Sequence, residues 1–214
     1  MLGEAYRDLK YLLNRGYRKG YALEFIANHY RLRREERHLL ARCVFPDSWI
    51  EDVRKKILGP KDLRGKVLAI DGFNVLITLE SLVEGKAVLC EDGLIRDLKY
   101  QGKYRLNERT GPLLEDVAAA LKELEVSGAL FFYGKSSPKS GVVKAMTEAA
   151  LSGLGVPGEV RLVKSPDFEL KKFRVVATAD VGIISHAEYV FDIPSYIGRK
   201  RGISAVPFLK IIKQ

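Results

Sequence analysis

The feature of this sequence that most constrains its fold is a series of short, largely apolar runs separated by helix-like segments. The runs cover residues 67–70, 129–133, 160–163, 174–177 and 189–191. Runs of this length predict strands buried on both faces, and the helical segments between them provide the long crossovers that parallel strands need. The sequence therefore predicts an α/β domain of three layers, with a central, mainly parallel sheet between two layers of helices.

Two features within this region predict its connections. Residues 87–90, followed by Glu91-Asp92-Gly93, predict either a hairpin or a single strand and turn. Thr110 and Pro112 predict the start of one helix, and Ser137-Pro138 predicts a second helix that reaches about residue 151. These helices supply crossovers between the predicted strands.

An all-helical segment is predicted before the first strand. Apolar residues recur there at helical spacing, with a break at Asn14-Arg15-Gly16-Tyr17 and a stop at Gly59-Pro60. We therefore expect two domains. Residues 1–64 form a helical domain, and residues 65–214 form the α/β domain with a basic C-terminal tail.

Three aspartates follow predicted strands: Asp71, Asp167 and Asp180. Ligands of open parallel sheets bind at the carboxyl ends of the strands, so these carboxylates are expected to converge. Converging carboxylates repel one another unless a cation lies between them, and Mg²⁺ or Mn²⁺ prefers oxygen ligands. The sequence thus predicts a metal site held by these three residues, although an Asp in the position of Asp180 is also typical of a helix cap.

Further candidates surround these aspartates. Asn74, three residues after Asp71, could orient a carboxylate or act as a turn residue. A fourth acid is predicted between the first two strands of the sheet, and the candidates are Glu115 and Asp97. The helix dipole alone would also account for an acid at Glu115.

The motifs that carry these residues resemble those of a known family. Ile70-Asp71-Gly72-Phe73-Asn74 resembles the opening signature of the NYN branch of PIN-like nucleases. Ser165-Pro166-Asp167 and Ala177-Thr178-Ala179-Asp180 resemble its later acidic motifs. The resemblance implies an RNA-cleaving enzyme that uses Mg²⁺ or Mn²⁺, with metal roles for Asp71, Asp167 and Asp180. The whole chain also resembles an archaeal family that pairs a helical N-terminal segment with a PIN-like domain.

One departure from the family pattern keeps a second hypothesis open. The family has further acids after its last motif, whereas Val181-Gly182-Ile183-Ile184 follows Asp180. The leading hypothesis is a metal-dependent phosphodiesterase acting on RNA, and the alternative is a non-catalytic RNA-binding protein with a degenerate PIN-like fold. A phosphatase-like hydrolase ranks last, because Gly72 and Phe73 replace its Asp-x-Asp.

The distribution of charge favours a polyanionic partner. The net charge is +9, and residues 1–64 contain 15 Lys and Arg against nine Asp and Glu. The residues expected to contact RNA phosphates are Arg15, Arg18, Lys19, Arg31, Arg33, Arg34, Arg199, Lys200 and Arg201. Tyr11, Tyr17 and Tyr21 are interleaved with the first of these and either stack on bases or pack between helices. The group at 199–201 is predicted to be a flexible phosphate clamp or a solvated loop.

The remaining sequence features concern cellular location and the two cysteines. No apolar stretch is long enough to span a membrane, and the N-terminus lacks a signal-peptide pattern, so a cytoplasmic protein without a membrane partner is expected. Cys43 and Cys90 match no metal-ligand spacing and are predicted to be small buried residues in a reducing compartment. The sequence does not decide between a monomer and an oligomer.

Overall fold

A computed structural model describes residues 1–98 and 104–213 of the chain. The strands are β1 Val67–Asp71, β2 Ala87–Leu89, β3 Ile95–Asp97, β4 Gly128–Gly134, β5 Gly158–Val163, β6 Val175–Ala177, β7 Tyr189–Val190 and β8 Val206–Pro207. The helices are α1 Leu2–Asn14, α2 Lys19–His29, α3 Arg34–Cys43, α4 Asp47–Lys56, α5 Gly72–Val83, α6 Thr110–Glu123, α7 Ser140–Leu154, α8 Pro166–Leu170, α9 Val181–Ile184, α10 Ile193–Arg201 and α11 Phe208–Ile211. A 3-10 turn, Pro60–Leu63, precedes β1.

Five parallel strands form the central sheet in the order β5-β4-β1-β6-β7. From β1 the chain builds one side of the sheet through β4 and β5, and then crosses to the other side for β6 and β7. The direction of winding therefore reverses beside β1. In open parallel sheets the crevice at such a reversal, beyond the carboxyl ends of the strands, is the usual place for a ligand.

Helices cover both faces of this sheet, so the predicted three-layer α/β architecture is confirmed. Leu68 and Ile70 of β1 pack in one cluster with α5, α6, α7 and α10. Ala69, the residue between them, packs on the opposite face with residues of α4, α8 and α9. Burial on both faces explains why the strands are continuous apolar runs rather than alternating patterns.

A second, smaller sheet contains the region that was predicted as a hairpin or a strand and turn. β2 and β3 pair antiparallel, and β8 pairs with β2 in parallel. Gly93 has a φ of +89° in the connecting turn, a value that glycine adopts without strain. The hairpin alternative is therefore the correct one.

The helical N-terminal segment shares a core with this small sheet. Leu9 and Leu40 lie in one buried cluster with Val88 of β2 and Phe208 of α11. The fourth helix differs from the first three, because its Val53 is buried against the face of the central sheet that carries Ala69. The break predicted after α1 is present, and Gly16 there has a φ of +83°.

The C-terminal region corrects one prediction. Arg199, Lys200 and Arg201 do not form a flexible clamp or loop, but the last turn of α10. Pro194 stands in the first turn of that helix, and Ile193 and Ile197 are buried on one face of it. This spacing of four residues is a helical signal that the sequence contained. None of the helices in the described ranges is long and apolar enough to cross a membrane.

Candidate active site

Asp71 lies at the carboxyl end of β1, beside the point where the winding of the sheet reverses. The Thr178 hydroxyl, just beyond β6, donates a hydrogen bond to Asp71 Oδ2 at 2.9 Å and accepts one from the Asp180 backbone N–H at 3.1 Å. Asn74 Oδ1 accepts a hydrogen bond from the Ala179 N–H at 2.9 Å. These bonds join the start of α5 to the end of β6, so the two sequence motifs form a single structural unit.

The glycine of the first motif is required by packing rather than by a turn. A Cβ atom on Gly72 would lie 2.2 Å from the ring of Tyr133 on β4, which is closer than any real contact. Phe73 packs edge-on against the same ring, with the centroids 4.7 Å apart. The absence of a side chain at Gly72 thus lets α5 begin directly over β4 and fixes the position of Asp71.

The carboxyl group of Asp71 is partly buried and lies near two other carboxylates. The pKa of Asp71 is raised from its usual 3.8 to about 7, because burial and the charges of Asp180 and Asp167, which raise it, outweigh the Thr178 hydrogen bond, which lowers it. Repulsion from two neighbouring carboxylates and loss of water both disfavour the ionised form. A cation at this position would reverse both effects.

The two carboxylate oxygens of Asp180 differ in their hydrogen bonds. Its Oδ1 accepts the Ile183 backbone N–H at 3.0 Å and caps α9, as the alternative interpretation of the sequence predicted. Among the described residues, no hydrogen bond engages Oδ2. Capping therefore holds the carboxylate beside Thr178 while leaving one oxygen available.

Asp167 reaches the same region by a different route. It follows β5, which is separated from β1 by β4, so the strand order alone does not bring it near Asp71. Ser165 caps α8, and Leu170 of that helix is buried against the sheet with Ala69. The short helix thereby folds back over the sheet, and the exposed Asp167 carboxylate acts on Asp71 from its first turn.

The chemistry of these residues suits a hard divalent cation, because their donors are carboxylate oxygens. None of the three aspartates forms a salt bridge with another described residue. Within residues 1–98 and 104–213, however, no three acidic, histidine or cysteine side chains are close enough together to form a ready metal site. Binding a cation would require the side chains of Asp167 and Asp180 to turn inward toward Asp71.

The two candidates for a fourth acid lie elsewhere. The Asp97 carboxylate is buried and bonded to Arg42 of α3 at 2.6 Å, so it attaches the hairpin to the helical segment. Glu115 is exposed on α6, next to Asp116, which pairs with Arg201 at 2.6 Å. No contact among the described residues joins either candidate to the three aspartates.

Asp192 is a strand-end acid that the sequence analysis missed. It follows β7, and its Oδ1 and Oδ2 accept the backbone N–H groups of Ser195 and Ile95, each at 2.8 Å. Burial raises the pKa of Asp192 to about 6 in spite of these bonds. With both oxygens engaged, Asp192 fixes β3 against α10.

A buried salt bridge within the hairpin contacts both the helical segment, through Trp49 Nε1, which donates to Asp92 at 3.2 Å, and the strand end beside the site. Arg96 and Asp92 are 1% and 0% exposed, and two hydrogen bonds of 2.7 Å join their side chains. Arg96 Nε also donates to the Ala179 carbonyl at 3.0 Å, directly before Asp180. We call the region formed by Lys19, Cys43, Cys90, Asp92 and Arg96 the seam, because it joins the helices to the hairpin.

The basic residues predicted to contact RNA differ in availability. Arg15 and Arg18 are exposed at the turn between α1 and α2. Lys19 is not a surface cation, because its Nζ lies 3.9 Å above the ring of Phe45 and burial, followed by the charge of Arg96, lowers its pKa to about 8. This part of the predicted contact set is corrected: Lys19 belongs to the seam.

The other predicted basic residues lie on two further surfaces. Arg31, Arg33 and Arg34 are exposed around the start of α3, where Arg33 pairs with Glu36 at 3.2 Å. In the last turn of α10, Lys200 pairs with Glu123 and Arg201 pairs with Asp116, whereas Arg199 forms no salt bridge with a described residue. These arginines and lysines do not converge on the aspartates through any described contact.

Comparison with known proteins identifies the family. A family model described as a domain of unknown function (DUF5616) matches residues 60–196, and the chain belongs to that family. A second model, described as a protein of unknown function (DUF434), matches residues 1–56. The chain is 40% identical over 194 residues to the uncharacterized protein MJ0935 of Methanocaldococcus jannaschii, covering 89% of this chain and 93% of that protein. No solved structure matches the chain.

Proposed function

We propose that this protein is a Mg²⁺- or Mn²⁺-dependent phosphodiesterase of PIN-like type, of the NYN branch, that cleaves RNA. The observation that carries the proposal is the grouping of Asp71, Asp180 and Asp167 at the reversal point of the sheet. The charges of Asp180 and Asp167 both act on the Asp71 carboxyl group there, and none of the three forms a salt bridge with a described residue. Such an arrangement is costly unless a cation is bound.

Each residue has a definite role in the proposed chemistry. Asp71, Asp167 and Asp180 would hold the cation, and the cation would polarise a phosphodiester and lower the pKa of an attacking water. Thr178 and Asn74 orient the carboxylates through their hydrogen bonds to Asp71 Oδ2 and the Ala179 N–H. Asp71 must be ionised to hold the cation, so binding of the cation is expected to strengthen as pH rises through the pKa of about 7 that Asp71 has in the metal-free protein.

The helical segment offers a surface for the RNA. Tyr17 and Tyr21 are 58% and 71% exposed, so they are not packed between helices, and Arg15 and Arg18 lie beside them. The following residue, Lys19, shares the Phe45 ring with Arg96, which in turn contacts the strand end before Asp180. Exposed aromatic rings stack on bases and arginines bind phosphates, a combination typical of single-strand binding.

The decisive experiment is cleavage of end-labelled single-stranded RNA in Mn²⁺ by the wild type, Asp71→Asn and Asp52→Asn. The control residue is an exposed carboxylate on α4 that pairs with Lys56 at 2.9 Å. We expect Asp71→Asn to lose more than about 100-fold in rate, and Asp52→Asn to retain wild-type activity. Equal cleavage by all three folded proteins would exclude Asp71 from the site.

A non-catalytic RNA-binding protein is the second candidate. It is favoured by the lack of a ready three-residue metal site in the described ranges and by the use of Asp180 as a helix cap. This alternative predicts that the wild type and Asp71→Asn bind RNA with equal, salt-sensitive affinity and that neither cleaves it with any divalent cation. Binding without cleavage would therefore select the alternative.

A further inference from the structure

The two cysteines of the chain meet in the seam. Cys43 is the last residue of α3, Cys90 follows β2, and both side chains are buried, with 0% and 4% exposure. Their sulfur atoms are 2.9 Å apart and hydrogen-bonded, although 47 positions separate the residues in the sequence. Both are free thiols. One belongs to the helical segment and the other to the hairpin of the α/β domain.

The surroundings of the pair make its two thiols unequal. Burial alone raises the pKa of Cys90, but the hydrogen bond with Cys43 and the charge of Arg96 outweigh it and lower that pKa below its usual value. The same hydrogen bond, together with burial, raises the pKa of Cys43. The buried ammonium of Lys19 adds a second cation near the sulfurs. A thiolate on Cys90 is thus favoured, with Cys43 as its protonated neighbour.

We infer that Cys43 and Cys90 are a redox-active pair that closes to a disulfide between the helical segment and the hairpin. A small peroxide supplies the oxidant. The Cys90 thiolate attacks one peroxide oxygen, the O–O bond breaks, and Cys90 becomes a sulfenic acid while the other oxygen leaves as water or an alcohol. The Cys43 sulfur then attacks the Cys90 sulfur, the S–O bond breaks and water leaves. The two sulfurs lose two electrons, which reduce the peroxide. A dithiol then returns the pair to two thiols by thiol–disulfide exchange and is itself oxidised to a disulfide.

The disulfide would act on both domains. It would tie α3 to the turn after β2, and the next strand carries Arg96, which donates to the Ala179 carbonyl before Asp180. Because the bond would close a long loop in the unfolded chain, the oxidised protein should unfold at a higher temperature than the reduced one. This inference is independent of the proposed nuclease activity, since it concerns only the two thiols.

The experiment uses the full-length wild type treated with a small excess of hydrogen peroxide at neutral pH. Thiols are counted after unfolding in denaturant with a maleimide, and the peptides are mapped by mass spectrometry. We expect both thiols to disappear together, a cross-linked pair of peptides containing Cys43 and Cys90, a mass lower by two hydrogen atoms, and full reversal by dithiothreitol. The oxidised monomer should also have the higher Tm.

Single variants separate the two roles. In Cys43→Ser, whose hydroxyl can still donate a hydrogen bond to Cys90, peroxide should convert Cys90 to a sulfenic acid that dimedone traps, whereas in Cys90→Ser the remaining Cys43 should resist the same dose. If either variant fails to fold, the wild-type peptide map still decides the matter. Survival of both thiols in the folded wild type, independent oxidation without a cross-link, or disulfides only between molecules would each overturn the inference.

Discussion

Two of the regions where the described structure shields charged side chains from solvent differ in whether those charges are compensated. In the seam, the Arg96 guanidinium meets the Asp92 carboxylate through two hydrogen bonds of 2.7 Å, and Trp49 donates a third bond to Asp92 at 3.2 Å. At the carboxyl edge of the sheet, the hydrogen-bond partners of Asp71 among the described residues are the Thr178 hydroxyl and backbone groups, while two further carboxylates raise its pKa. The charges of Arg96 and Asp92 in the seam therefore compensate each other, whereas the carboxylates at the edge have no compensating cation among the described residues.

This difference indicates what each region does. A buried ion pair whose hydrogen-bonding groups are satisfied holds two elements in one arrangement and needs nothing from outside. A shielded carboxylate among like charges is tolerated only when function requires it, and it gains stability from any cation that binds. The seam is therefore a structural joint, and the edge is the candidate site.

We expect the largest change in stability from breaking the buried Arg96–Asp92 ion pair of the seam. Arg96→Met leaves the Asp92 carboxylate buried without its partner, which should lower the free energy of unfolding by about 3–5 kcal/mol. The double variant Arg96→Met with Asp92→Leu should be markedly more stable than the single one, because both charges are removed. Urea unfolding measures both. A single variant as stable as the wild type would mean that the seam is not a compensated pair.

A pH profile of stability tests the edge. Because the pKa of Asp71 is raised on folding, its carboxyl group stays protonated to a higher pH in the folded state than in the unfolded chain. The stabilisation is complete below pH 4 or so and is lost as pH rises toward about 7, a change of up to roughly 4 kcal/mol. In Asp71→Asn this fall should be absent, leaving a smaller one from Asp192, whose pKa is raised to about 6. Parallel profiles from urea unfolding at pH 4 to 8 would contradict the expectation.

Stabilisation by divalent cations is a second test of the carboxylates at the edge. Above pH 7, Mn²⁺ at 100 times its dissociation constant should stabilise the wild type by about 2.7 kcal/mol, because it binds the folded state alone. Asp71→Asn should lose most of this gain, and Asp52→Asn should keep it. Thermal unfolding with and without Mn²⁺ gives the result. An equal shift in all three proteins would indicate that cations bind outside the edge.

The smallest expected effect separates surface cations from seam cations. Arg18→Ala removes an exposed charge, so the slope of log binding constant against log salt for single-stranded RNA should weaken by about 1. Lys19→Met should leave that slope unchanged, since its ammonium lies against Phe45. Filter binding at several salt concentrations distinguishes them. A slope change for Lys19→Met that equals that for Arg18→Ala would return Lys19 to the RNA-binding surface.

Much of the sheet could be predicted because its signals are local. The predicted strand at 67–70 is β1 Val67–Asp71, and that at 129–133 is β4 Gly128–Gly134. A short apolar run bounded by turn residues is typical of a strand that is buried on both faces of a layered sheet. The last turn of α10 was missed although Ile193 and Ile197 carried a helical signal, because the basic run at 199–201 was interpreted by its charge.

The residues of the candidate site also differ in how far the sequence predicts their positions. Asp71 and Asp180 could be predicted to lie at one edge, since Asp71 ends β1, Asp180 stands three residues after β6, and the edge of a parallel sheet is common to its strands. Asp167 was predicted to be a strand-end acid, but it lies in the first turn of α8, and its approach to Asp71 depends on that helix folding back over the sheet. Nothing in the local pattern around Asp97 reveals that Arg42 is its partner.

Hydrophobic periodicity and turn residues act over a few neighbouring residues, so local patterns predict the alternation of strands and helices, the helical N-terminal segment and the acids near the strand ends. Which charged and sulfur-containing side chains meet depends on the packing of the layers. The tertiary structure placed Arg96 against the Ala179 carbonyl, set the Lys19 ammonium over the Phe45 ring and brought Cys43 against Cys90. Contacts between residues far apart in the chain depend on how the layers pack, and no local pattern encodes that packing.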